Sequence, residues 1–132
     1  MPPSKNIFLK KALASIPKRQ KRGHKKSYGH LLVIAGSVEY TGAAILTASA
    51  AMRSGCGYVT LACPQSIIPI ISSSALEVIK LPLTETGSGS ISGIALDRIL
   101  KILGDVSAIV VGPGLSTHTE TQSFVRELLK KI

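Results

Sequence analysis

Apolar residues along this 132-residue chain gather in short continuous runs, separated by stretches in which they recur every three or four positions. Leu31-Leu-Val-Ile34 and Ala108-Ile-Val-Val111 are β-branched-rich runs, the pattern of strands covered on both faces of a parallel sheet. Runs of this kind predict strands over residues 30–35, 58–62, 76–81 and 106–111, the third the weakest and the last the strongest. Residues 41–54 predict a helix, with Thr41 as N-cap and Gly55 as its stop. Ala43, Ala44, Ala48, Ala50 and Ala51 make that helix small and apolar nearly all round, which implies close packing on the sheet and cover on its other side. Pro64 opens a short helix to about Ser73, with a break or kink at Pro69. Residues 84–92 are rich in Gly and Ser and read as a mobile loop. Residues 92–103 and 119–131 read as amphipathic helices. Strands alternating with helices imply right-handed βαβ crossovers and one α/β domain, a parallel sheet with helices on both faces.

Two glycine-containing turns carry the chemistry. Gly36-Ser-Val-Glu-Tyr-Thr-Gly42 and Gly112-Pro-Gly114-Leu-Ser116 each follow an apolar strand and each lead into a helix. Glycine at a strand end lets a ligand approach the backbone, and the unpaired N–H groups of the following helix favour an anionic or strongly accepting group. On neighbouring strands the two corners form one site. There is no G-x-x-x-x-G-K-[ST] sequence, and the segment from Gly112 to Thr117 lacks the third glycine of a dinucleotide fingerprint.

Charge divides the chain in two. Of its 16 Lys and Arg residues, nine lie in residues 1–26, which hold no acid, whereas residues 27–132 carry seven basic and seven acidic residues. The net charge of +9 therefore belongs to a basic arm, residues 1–26, and the body, residues 27–132, is neutral. The arm reads as a solvated, partly helical entry segment. With Phe8 its only aromatic it is a poor base-stacking surface, so no nucleic-acid partner is expected. It lacks the apolar segment of a secretory leader, and no run is long enough to span a membrane, so the protein reads as cytoplasmic with no membrane partner. Cys56 and Cys63 flank one strand, are not spaced for a C-x-x-C pair and read as buried structural thiols. His24, His30 and His118 are scattered without carboxylates at ligand spacing, so no metal site is expected. Asp97 and Asp105 read as a helix-surface and a loop carboxylate, and Arg53 as a residue ending its helix.

From about residue 24 to 131 the chain resembles the amino-terminal half of the ADP- or ATP-dependent NAD(P)H-hydrate dehydratases. The likeness rests on His24-Lys-Lys-Ser-Tyr-Gly29-His followed by Leu-Leu-Val-Ile-Ala-Gly36-Ser, then Tyr40-Thr-Gly42-Ala-Ala44, Ala51-Met-Arg-Ser-Gly55-Cys-Gly57-Tyr-Val-Thr60 and Val111-Gly-Pro-Gly-Leu115. Order and spacing together make the match specific. The resemblance implies a ribokinase-like fold, truncated so that the carboxy-terminal half is absent. It also implies a repair lyase for hydrated NADH or NADPH, in which ATP or ADP, with Mg, phosphorylates the added hydroxyl before elimination. Backbone groups at Gly42, Ala43 and Gly114 would contact the hydrated dinucleotide, with Gly112 beside them and Tyr40 lining the pocket. The family's nucleotide-binding segments and catalytic aspartate have no counterpart in these residues, so this chain would supply the substrate side and no catalytic residue. A second chain carrying the missing half, or a homo-oligomer, would complete it. A ribokinase-like kinase fragment for a small alcohol or vitamin precursor, and a non-catalytic remnant that binds a dinucleotide or a partner, are the alternatives. The family usually has a further glycine where this chain has Ser116.

Overall fold

The computed structural model describes residues 4–16 and 22–132. Helix α1, Ser4–Ser15, lies in the basic arm, with Leu9, Leu13 and the following Ile16 exposed. The body alternates β1 (His30–Ile34), α2 (Thr41–Arg53), β2 (Tyr58–Pro64), α3 (Ile68–Ser74), β3 (Ile79–Leu83), α4 (Leu96–Leu100), β4 (Ala108–Val111) and α5 (Thr119–Leu129). All four strands are parallel, in the order β3-β2-β1-β4.

Period-two alternation along the strands sorts the core into two layers. Val33 and Ala35, with Val59, Leu61 and Cys63, face one side and pack against Ala44, Ala48 and Ala51 of α2 and Ile71 of α3. Leu32 and Ile34, with Ala62 and Leu83, face the other side, against Ile99 of α4 and Phe124 and Leu128 of α5. Helices α2 and α3 therefore cover one face and α4 and α5 the other, as the alternation of elements predicts.

Several boundaries differ from the sequence reading, each for a local reason. Strand β3 begins at Ile79 because Leu76, apolar but 79% exposed, lies in the preceding turn. The helix expected over residues 92–103 is divided into a 3₁₀ turn (Gly93–Ala95), α4 and a second 3₁₀ turn (Leu103–Asp105). Pro64 ends β2 and caps a 3₁₀ turn (Gln65–Ile67), and Pro69 falls in the first turn of α3, where a missing N–H costs nothing. Tyr40, not Thr41, is the N-cap of α2, and its side chain makes no capping bond. The outer face of α2 is open rather than covered: Leu46 is 72% exposed.

The segment over residues 84–92, expected to be mobile, is folded. Thr86 N–H donates to the Ser90 carbonyl at 2.7 Å, Glu85 and Ile91 form an antiparallel bridge, and Ser90 is fully buried. The hydroxyls satisfy one another: Thr86 Oγ1 lies 3.0 Å from Ser88 Oγ and 2.9 Å from Ser90 Oγ, which is 2.9 Å from Thr121 Oγ1, itself donating to the Ile91 carbonyl at 2.7 Å. Thr121 Oγ1 is the donor toward both Ser90 Oγ and the Ile91 carbonyl, its single hydrogen shared between them, and so ties α5 to this segment.

His30 is a core histidine. Its Nδ1 donates to the Asp105 carbonyl at 3.0 Å, which leaves Nε2 to accept from Thr60 Oγ1 at 2.8 Å, and its ring stacks on Tyr58 at a centroid separation of 4.2 Å. It ties β1, β2 and the turn before β4 at the end of the sheet opposite the glycine turns. Nearby, a side chain on Gly57 would strike the backbone carbonyl of Lys25, while the Gly57 N–H meets the Tyr28 and Gly29 carbonyls at 3.1 Å each. The Gly55-Cys-Gly57 and His24-to-Gly29 motifs are therefore halves of one backbone contact.

Gly57→Ala is expected to lower stability by more than about 2 kcal/mol, since backbone must move to admit the methyl group. Gly104→Ala, where a Cβ meets nothing within 4 Å, should stay within about 0.5 kcal/mol of the parent. Urea denaturation of the two variants checks the contrast.

Candidate functional site

The direction of chain progression reverses between β1 and β4. From β1 the chain steps to β2 and β3 with helices on one face; it then crosses to β4, on the far side of β1, with helices on the other face. In an open α/β sheet such a switch point leaves a crevice at the carboxyl ends of the two diverging strands, the usual place for a ligand. Both glycine turns sit there. The sequence reading placed them on neighbouring strands, and β1 and β4 are paired from Leu31 with Ala108 to Ile34 with Val111.

One hydrogen bond joins the turns: Gly36 N–H donates to the Pro113 carbonyl at 2.8 Å. Residues 112–115 form a turn closed by Leu115 N–H to the Gly112 carbonyl at 3.3 Å, with Pro113 in its second position and Gly114 at φ 67° in its third, the arrangement of a type II turn. Residues 37–40 form another, closed by Tyr40 N–H to the Ser37 carbonyl at 3.0 Å. A Cβ on Gly114 would lie 2.7 Å from Tyr40 Cβ and 2.8 Å from Ala43 Cβ; one on Gly36 would lie 2.8 Å from Ala44 Cβ. These two glycines let the start of α2 press against both turns.

Of the residues singled out from sequence, Tyr40, Ala43 and Gly114 are thus in mutual contact. Gly42 follows at the exposed start of α2, and Gly112 begins the second turn, also exposed. A Cβ at either Gly42 or Gly112 would meet no protein atom within 4 Å, so their backbone is open to an approaching ligand. Among the described residues no protein group accepts the N–H of Thr41 or Gly42, and Tyr40 supplies no cap. These are the orphan donors, at the positive end of the helix, that an anion completes.

Further features of the site were not read from the sequence. Ser37 is 1% exposed and its hydroxyl has no partner among the described residues. Val38 N–H donates to the Gly89 carbonyl at 3.0 Å, so the folded segment over residues 84–92 holds the first turn in place. His118 is the N-cap of α5, its Nδ1 accepting from Glu120 N–H at 3.3 Å. Ser116 takes φ 74°, the one described non-glycine residue with positive φ, where the resemblance had suggested a glycine. Beside it a cleft of about 340 Å³ opens between the second turn and Gln122 and Arg126 of α5.

Other candidates fall away from the site. The Asp105 carbonyl serves His30 at the opposite end of the sheet, and Asp97 is exposed on α4. Arg53 is exposed at the end of α2. Cys63 is buried in the α2 face, which pushes its thiol up to about 12, whereas Cys56 is only half-buried. Among the described residues no three His, Cys, Asp or Glu side chains come together to hold a metal ion, and no helix is long and apolar enough to cross a membrane.

A parallel sheet in the order β3-β2-β1-β4 with a crevice at the β1–β4 switch point makes this a doubly wound α/β fold, and its likeness to solved structures makes it ribokinase-like. An Enterococcus faecalis ribokinase-like superfamily protein superimposes with a TM-score of 0.73, covering 89% of this chain and 38% of that one at 20% identity. More narrowly, the chain belongs to the NAD(P)H-hydrate dehydratase family, whose profile matches residues 31–132. It is 39% identical over 119 residues to the bifunctional NAD(P)H-hydrate repair enzyme Nnr of Moorella thermoacetica, covering 90% of this chain and 22% of that protein. It is 31% identical over 135 residues to the ATP-dependent (S)-NAD(P)H-hydrate dehydratase of Emericella nidulans, covering 98% of this chain and 36% of that protein. The ADP/ATP-dependent NAD(P)H-hydrate dehydratase of Bacillus subtilis, crystallised with ATP and Mg²⁺, superimposes with a TM-score of 0.69 at 28% identity, over 89% of this chain and 39% of that one. The chain thus spans between about a fifth and two fifths of the length of these relatives.

Two substitutions separate strain from function at the site. Ser116→Gly should raise stability by up to about 1 kcal/mol, because it releases a left-handed backbone that costs a non-glycine residue roughly that much. Ser37→Ala should leave stability unchanged or raise it, because it removes a buried hydroxyl without a partner. Chemical denaturation of each against the parent chain measures both. A thiol reagent at pH 8 should label Cys56 and spare Cys63 until the chain unfolds, since a thiol at about 12 is almost wholly protonated there; mass spectrometry of the peptides reads the result.

Proposed function

We propose that this chain forms the substrate-side half of a nucleotide-dependent NAD(P)H-hydrate dehydratase, holding hydrated NADH or NADPH at the switch-point crevice. The observation that carries the reading is the pair of glycine turns joined by the Gly36–Pro113 hydrogen bond, in a chain of this family. The open N–H groups of Thr41 and Gly42 suit a pyrophosphate oxygen, and Gly112 lets the dinucleotide lie against backbone. Tyr40, half-exposed at 51% between the turns, offers a face for the ring system. The buried hydroxyl of Ser37, unpartnered among the described residues, lies in the first of these turns.

In the reaction that the family resemblance implies, a phosphoryl group from ATP or ADP goes to the added hydroxyl and leaves as phosphate, which restores the dihydropyridine. Among the described residues no three His, Cys, Asp or Glu side chains come together to hold a metal ion, and Asp97 and Asp105 lie away from the glycine turns. Metal binding and proton removal belong to the part of the relatives' length that this chain does not match. The basic arm, residues 1–26, is a separate solubilising segment. Unpaired Cys56 and Cys63 suit the cytoplasm.

Two measurements test the reading. The chain alone should give no nucleotide-dependent recovery of absorbance at the reduced-cofactor band, since positioning and a general base together account for many orders of magnitude. In a domain completed with the carboxy-terminal portion of a relative, Gly114→Val should weaken dinucleotide binding at least about tenfold, from the clash with Tyr40 and Ala43. Replacing Lys5, Lys10 and Lys11 with Gln should leave binding within about twofold. Calorimetric titration giving equal losses, or the larger loss from the arm, moves the site away from the turns.

A further inference from the structure

Helix α5 reaches back to the switch-point crevice through buried hydroxyl groups. Thr121, in its first turn, is 1% exposed, and its Oγ1 donates toward Ser90 Oγ at 2.9 Å and the Ile91 carbonyl at 2.7 Å. A threonine within a helix ordinarily bonds a carbonyl one turn back in the same helix. Thr47 of α2 does so, donating to the Ala43 carbonyl at 2.7 Å. Thr121 instead leaves its helix for a segment thirty residues earlier in the chain. A second tie lies beside it, Ser92 Oγ donating to Glu120 Oε2 at 2.9 Å.

From Ser90 the bonds run on to the first glycine turn. Ser90 N–H donates to Thr86 Oγ1 at 3.3 Å and Gly89 N–H to the Thr86 carbonyl at 3.0 Å, which together with the Thr86–Ser90 backbone bond closes residues 86–90 into a tight loop. The Gly89 carbonyl accepts from Val38 N–H at 3.0 Å, and a side chain on Gly89, at φ 73°, would strike that of Val38. The turn over residues 37–40 is thus anchored on both sides, by Gly36 to Pro113 and by Val38 to Gly89. That turn presents Tyr40 and the start of α2 to the crevice.

Burial makes the arrangement informative. Thr86, Ser90, Ser92 and Thr121 are all buried. Phe124, one turn along α5 from Thr121, and Ile91, next to Ser90, belong to the apolar layer on this face, where apolar side chains would pack with no hydroxyl to satisfy. Hydrogen bonds are directional and apolar burial is not, so a buried polar network fixes one placement of the parts it joins.

We infer that Thr121 is a positioning residue for the switch-point crevice: through Ser90 and Gly89 it fixes the turn over residues 37–40, and with it the first N–H groups of α2, relative to α5. The consequence for binding rests on the reading of the crevice as the dinucleotide site; the coupling of Thr121 to Val38 does not.

Backbone amide exchange in the 132-residue chain, followed by NMR, tests the coupling. The quantity to compare is the exchange rate of Val38 divided by that of Val33, which cancels any change in global stability. Thr121→Val keeps the side-chain shape and removes the hydroxyl, and should raise that ratio at least about tenfold by freeing the loop and turn locally. Thr121→Ser restores the hydroxyl and should hold the ratio within about threefold of the parent. Thr60→Val removes another buried threonine hydroxyl, the partner of His30 at the opposite end of the sheet, and should also leave the ratio within about threefold. Titration of the same chains with hydrated NADH, read at the Gly42 amide, should show Kd raised at least about fivefold by Thr121→Val and held within about twofold by Thr121→Ser and Thr60→Val. An unchanged ratio in Thr121→Val, an equal rise in Thr121→Ser or Thr60→Val, or a raised ratio with undiminished affinity overturns the inference. A parent chain that binds no hydrated NADH overturns the reading of the crevice instead, and exchange at Val38 still decides the coupling.

Discussion

The whole site depends on how closely α2 approaches the ends of β1 and β4. The Gly36–Pro113 hydrogen bond holds the two turns together, and Gly36 and Gly114 leave room for Ala44, Ala43 and Tyr40 to close on them. A methyl group at either glycine would lie under 3 Å from a side-chain carbon. The small residues of α2 continue the same logic down the sheet, where Ala44, Ala48 and Ala51 sit on Val33, Val59 and Leu61. Close approach sets the orientation of the helix start, and the helix start sets where its orphan donors point. Packing is thus the cause of the turn geometry here, and the glycines are its means.

This arrangement divides responsibilities along the sheet. At the amino ends of the strands His30, Thr60 and the Asp105 carbonyl, together with the Gly57–Lys25 contact, make a fully bonded base. At the carboxyl ends polar groups are left open: the first N–H groups of α2 and the Ser37 hydroxyl. Unsatisfied groups collected at one end of an otherwise satisfied domain are the mark of a place meant for something else. The folded segment over residues 84–92 belongs to this end, since its Gly89 carbonyl supports Val38.

Much of the fold was legible because two periodicities alternate cleanly. The runs at Leu31 and Ala108 gave adjacent parallel strands, and the alanines of α2 announced close packing. The misreadings have particular causes. Leu76 is apolar in a turn, and only tertiary contacts show that it is exposed. The Gly and Ser content of residues 84–92 suggests mobility, yet hydroxyls two and four residues apart bond one another, and Thr121 of α5, thirty-one residues from Ser90, joins them. Thr41 has the chemistry of a cap, but the Ser37–Tyr40 turn brings Tyr40 to that position. The family likeness located Gly42, Ala43 and Gly114. It did not separate a glycine that faces a helix, Gly114, from glycines that face open space, Gly42 and Gly112; the distances do.

The coupling of the two turns is the central claim, and amide exchange at Gly36 tests it most directly. If the bond to Pro113 locks the turns as a unit, the Gly36 amide should exchange only with global unfolding, at the free energy of the Val33 and Leu61 amides. The Gly42 amide in the same protein should exchange orders of magnitude faster. A Gly36 amide that opens as readily as that of Gly42, while the strands stay protected, contradicts the account: the two turns are then independent loops, and no common site is built between them.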